Sequence, residues 1–87
     1  MQSTELTHEH FAYDLRGLLR RLTEVDGKSR TVPDVLYHDI FNTVEQYYGR
    51  DTALFPELAY QLRGAKASLD KMRELVDGWI RQPPAMA

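Results

Sequence analysis

The start of the chain gathers two carboxylates and two histidines in Glu5-Leu-Thr-His8-Glu9-His10, a set of residue types that can hold a metal ion. Their spacing works against it. Residues two apart on a helix point about 200° away from each other, so His8 and His10 cannot share one ion. Glu5 and His8 have the Glu-x-x-His spacing of di-iron bundles, which also need a second such pair and two further inward glutamates. The other segments offer Glu45-Gln-Tyr-Tyr48 and Glu57-Leu-Ala-Tyr60, with tyrosine where histidine is required. His38-Asp39 would need a nucleophile on a tight turn, and Ser3, Ser29 and Ser68 lack that setting. The five glycines, at 17, 27, 49, 64 and 78, are isolated, so no phosphate loop exists. The absence of cysteine removes disulfides, zinc knuckles and thiol catalysis together. The expectation is a protein without catalysis, metal or cofactor. A small oligomeric helical enzyme is an alternative, but it needs inward arginines and glutamates, and Arg16 and Arg20 lie one position past seam residues and point outward.

Aromatic side chains are the next candidates. Tyr37, Phe41, Tyr47, Tyr48 and Phe55 cluster within one stretch. Tyrosine flanked by acids is the composition of a protein-contact patch, so Tyr37, Tyr47 and Tyr48, with Arg50 at the rim, are the expected site for binding another protein. The plain alternative is that the rings fill the core with hydroxyls reaching the surface. Charge is uneven: Arg16, Arg20, Arg21, Lys28 and Arg30 face only Glu24 and Asp26, a local excess of +3, in a chain of net charge −2. The basic stretch 16–30 makes a nucleic-acid-associated regulator a further alternative, but no recognition-helix pair follows it, and such a stretch is more often a solvated face.

The elements that must position these residues are helical. Phe11, Leu15, Leu18, Leu22 and Val25 repeat at +4, +3, +4, +3, the seam of a helix near 5–26 with Asp26-Gly27 to end it. Thr31-Val-Pro-Asp34 can cap and open a second helix at 33–48, where Tyr37, Phe41, Val44 and Tyr48 form the seam and Gly49 the stop. Phe55, Leu58, Leu62, Ala65, Leu69, Met72, Val76 and Trp79 then alternate +3 and +4 without a break, which predicts one long helix over 55–81, with Pro56 in its first turn and a tail at 82–87. Gly64 costs such a helix about 1 kcal/mol relative to alanine, so it implies either a close helix crossing or a groove that receives a side chain from a partner. No strand pattern or repeat is present. The expected fold is all-α: residues 1–87 as a single small antiparallel three-helix bundle with a long C-terminal helix.

A long last helix outruns the short second one, and its surplus seam must be covered. A second copy could bury Met72, Leu75, Val76, Trp79 and Ile80 across a two-fold axis, so a homodimer through these residues is expected; closure by the N-terminal turn is the monomeric alternative. With 43% hydrophobic and 28% charged residues the composition is that of a globular chain. No stretch approaches the ~18–20 apolar residues that span a bilayer, and the acidic N-terminus lacks a secretory n-region, so a cytoplasmic protein with no membrane partner is expected. In size, helicity and lack of cysteine the chain resembles the class of small antagonists that includes bacteriocin immunity proteins and phage-encoded inhibitors. That resemblance implies an adaptor, regulator or inhibitor, and it carries over no residue.

Overall fold

The computed structural model describes residues 4–25, 30–49 and 52–84, with side chains from residue 9 onward. It holds four helices: α1 Thr4–Thr23, α2 Asp34–Tyr48, α3 Phe55–Ala65 and α4 Leu69–Arg81. No strand occurs among the described residues. The expectation of three helices with one long C-terminal helix is corrected at a single place. The 55–81 segment is broken at residues 66–68, and its halves form an antiparallel hairpin. Leu54 and Glu57 at the start of α3 line the same depression as Gln82 and Pro83 just past α4.

The break has a local cause. Ser68 is extended (φ −144°, ψ 117°), and its hydroxyl accepts the Lys71 N–H at 3.2 Å, an N-cap that starts a new helix. Asp70 follows in the first turn, where a negative charge is favoured. The preceding turn tightens, with Lys66 and Ser68 donating to the Arg63 and Ala65 carbonyls. Two groups freed by the break find partners in the linker after α1. The Val32 N–H donates to the Lys66 carbonyl at 3.0 Å, and the Leu69 N–H donates to the Arg30 carbonyl at 2.9 Å.

Cross-helix pairs define the arrangement. Phe11 meets Tyr48 and Arg21 meets Asp39, so α1 and α2 run antiparallel. Phe11 also lies by Trp79, and Arg73 donates to the Leu22 carbonyl, so α1 and α4 are antiparallel too. α2 packs on α3, and α3 on α4, which leaves α1–α3 and α2–α4 on the diagonals. The core runs through all four helices, with Phe11, Leu15, Leu22, Ile40, Val44, Leu58, Leu62, Met72 and Val76 essentially inaccessible. No polar or charged residue among the described ones is buried.

Boundaries follow from the same contacts. α1 ends at Thr23 rather than near 26, and its Leu22 carbonyl, reached by the Val25 N–H at 3.4 Å, also accepts Nε–H and Nη2–H of Arg73 at 3.2 and 2.8 Å. The proposed Asp26-Gly27 stop lies outside the described residues. α2 starts after Pro33 with no side-chain cap, so Thr31 does not cap it. Val32 is held by its bond to Lys66 and by burial, which leaves Thr31 exposed two residues before the helix entry. Gly49 ends α2 at φ +71°, a left-handed value that a side chain rarely takes. Pro56 sits in the first turn of α3.

Gly78 lies inside α4 with nothing within 4 Å of an added Cβ. Gly78→Ala is therefore expected to stabilise the fold by about 0.5–1 kcal/mol, and Ser68→Ala to destabilise it by about 1 kcal/mol, in urea unfolding followed by circular dichroism.

Candidate functional site

The aromatic residues expected at a partner site are largely interior. Tyr37 is 8% exposed and Tyr48 3% exposed. Tyr37 stacks under Lys66, whose ammonium lies 4.9 Å from the ring centroid and 3.4 Å from Asp34, a clasp between the start of α2 and the end of α3. Tyr48 meets Phe11 edge-on at 5.1 Å and donates its hydroxyl proton to the Pro84 carbonyl at 2.8 Å. Tyr47 is half-buried, 5.4 Å from Phe11, and donates to Asp14 at 2.6 Å. Arg50 lies outside the described residues. The rings thus tie α2 to α1, α3 and the segment after α4, with hydroxyls at the margin.

The seam assigned to a second copy is also covered within the chain. Met72, Val76 and Trp79 are buried, while Leu75 and Ile80 are only partly so. The physical reason is the break at 66–68. It folds α4 back so that the 30 Å of α1 (at ~1.5 Å per residue) lies along it. The expected dimer through Met72, Leu75, Val76, Trp79 and Ile80 therefore lacks the exposed seam that motivated it.

Candidate catalytic groups do not converge. His38 is exposed, and Asp39 pairs with Arg21 at 2.7 Å. No group of three or more His, Asp or Glu suited to a metal ion occurs among the described residues. The Glu5 and His8 side chains lie outside them.

What remains outside the core is informative. The large hydrophobics left exposed among the described residues are Tyr13 at 72%, Val35 at 69% and Tyr60 at 75%. Tyr13 and Arg16, one turn apart on α1, border a shallow depression of about 550 Å³ between α1 and the end of α4. Its apolar floor is Ala12, Ile80 and Pro83, and Glu9 and His10 close the lower lip. Arg16 is exposed and makes no ion pair among the described residues. Sequence reasoning passed over Tyr13 and Tyr60, although a signal was present. Both sit two residues past a seam position, Tyr13 past Phe11 and Tyr60 past Leu58, which turns them about 200° from it toward solvent.

Set against known proteins, the chain matches no protein family, no curated protein and no solved structure. No helix among the described residues is long and apolar enough to cross a membrane.

The buried Tyr48 and the half-buried Tyr47 have a pH consequence. Acceptance of the Tyr47 proton by Asp14, then burial, pushes the Tyr47 phenol from 10.0 up to about 12, and burial alone raises Tyr48 from 10.0 to about 12. The folded state favours the neutral phenols, so their contribution is full below pH 10 and is lost as pH rises through about 12. Denaturant titrations should show stability falling between these values, and Tyr47→Phe with Tyr48→Phe should flatten that fall.

Proposed function

We propose that this chain is a small, non-catalytic helical protein that acts by binding another protein, through the depression between α1 and the end of α4. The observation that carries the reading is Tyr13, held 72% exposed over an apolar floor and one turn from the unpaired Arg16. Exposing a tyrosine ring beside an arginine has no use for folding, whereas both types dominate the energetics of protein interfaces. Ile80 and Pro83 supply the pocket such anchors need, and Arg16 favours an acidic group on the partner. The chain lacks cysteine, which fits action in the reducing cytoplasm.

Catalysis is the weaker reading, because converging inward charges would be needed and no charged residue among the described ones is buried. Nucleic-acid binding is weaker too. Within the stretch 16–30 Arg21 is paired with Asp39, and the chain as a whole carries a net charge of −2, which opposes phosphate contact.

The test compares wild type with Tyr13→Ala and Arg16→Ala. A partner is captured from native lysate and identified, and its affinity is measured by calorimetry. Each variant should weaken binding by more than about 1 kcal/mol with an unchanged melting temperature. Tyr37→Ala and Tyr48→Ala should instead lower stability by roughly 3 kcal/mol, as truncation of core aromatics does. Full affinity in both α1 variants, or binding only to a polyanion in low salt, would overturn the reading.

A further inference from the structure

α3 contacts only α2 and α4, and its outward face is left to solvent. The centre of that face is Tyr60, 75% exposed. Three residues to either side lie Glu57 and Arg63, both exposed, and neither forms an ion pair among the described residues. Four residues to either side lie Pro56 and Gly64, both exposed. These offsets share one helical face. The pattern is antisymmetric in charge and symmetric in size: an acid before the tyrosine, a base after it, and small or flat residues beyond.

We propose that this face is a self-association surface, on which two copies of the chain pair their α3 helices antiparallel about a two-fold axis through Tyr60. In that arrangement residues equally distant from Tyr60 oppose each other. Glu57 faces Arg63 of the second copy, twice by symmetry, and the Tyr60 rings stack at the axis. Pro56 faces Gly64, a flat residue against a bare one, so the helices approach closely on both sides of the axis. A parallel pairing would set like charge on like charge. The inference stands apart from the α1–α4 depression and does not depend on it.

Gly64 sits in a helix and is exposed, and nothing lies within 4 Å of an added Cβ, so no crossing inside the chain requires it. Gly17 and Gly78 are equally open, so this glycine marks no site by itself; its bare surface leaves room for a second helix on the face that Glu57, Tyr60 and Arg63 define. It also borders a groove of about 530 Å³ lined by Gln61, Lys71, Glu74 and Leu75, which carries the surface onto α4. A contact made by one 11-residue helix from each copy falls at the low end of specific interfaces, so the dimer is weak and concentration-dependent.

Sedimentation equilibrium tests it on the full chain. The wild type should pass, over tens to hundreds of micromolar, from the 10.1 kDa chain mass to twice that value. Glu57→Arg alone and Arg63→Glu alone each create two like-charge contacts and should remain monomeric. The two single variants mixed in equal amounts restore both pairs and should form a heterodimer, and the double variant should form a homodimer. All substituted positions are exposed, and helical circular dichroism checks each fold. A wild type that stays at 10.1 kDa overturns the proposal. So does a dimer indifferent to the single changes, or one that neither the mixture nor the double variant restores.

Discussion

The interruption of the last helical segment at residues 66–68 is the constraint on which the remainder of the structure rests. An unbroken helix would pass the Lys66 carbonyl to the N–H of residue 70 and the Leu69 N–H to the carbonyl of residue 65. The break orphans both, and the linker after α1 takes them up through Val32 and Arg30. Those two bonds fix the α1–α2 connection against the α3–α4 connection at one end of the molecule. Ser68 makes the break cheap by capping the new helix at its first turn.

Reversal of α4 then determines what is inside. Met72, Val76 and Trp79 turn onto α1, and Arg73 reaches the open carbonyl end of that helix. Phe11 becomes the hub of the opposite end, where it touches Tyr47, Tyr48 and Trp79. With the seams consumed in this way, only off-seam side chains are left to meet anything else. Tyr13 on α1 and Tyr60 on α3 are the large aromatics among them, on diagonal helices, and thus on separate surfaces.

Much of this was legible from residue spacing. The seam of α1 from Phe11 to Leu22, the stop at Gly49, the place of Pro56 and the helical class all follow from periodicity and local backbone preference, whereas on α2 the core takes Leu36 and Ile40 and leaves Phe41 only partly buried. The hairpin was not, for a specific reason. Leu62, Ala65, Leu69 and Met72 keep the 3–4 rhythm across the break, because each half of the hairpin turns its own stripe toward the same core. Periodicity reports which residues face inward, and it is blind to a reversal that preserves the phase. The signals that remain are local: Gly64 without a packing role, and Ser68 two residues ahead of Asp70. That one reversal also removes the argument for a dimer along the last helix, since a continuous helix leaves its distal seam bare and a hairpin buries Met72, Val76 and Trp79. The tyrosines of α2 show a second limit: residue type alone cannot separate a core ring with a hydroxyl at the margin from an exposed one.

A distance along the α3–α4 segment measures the hairpin most directly. Because the chain has no cysteine, spin labels can be placed uniquely at Gln61→Cys and Gln82→Cys, two positions that line one depression. The doubly labelled protein is diluted into unlabelled chain and read by pulsed dipolar spectroscopy. Gln61 lies six residues before the middle of the break and Gln82 fifteen after it, so antiparallel helices ~10 Å apart predict a separation of roughly 17 Å before the label tethers are added. A single distribution near ~32 Å, the rise of 21 residues of unbroken helix, would contradict it.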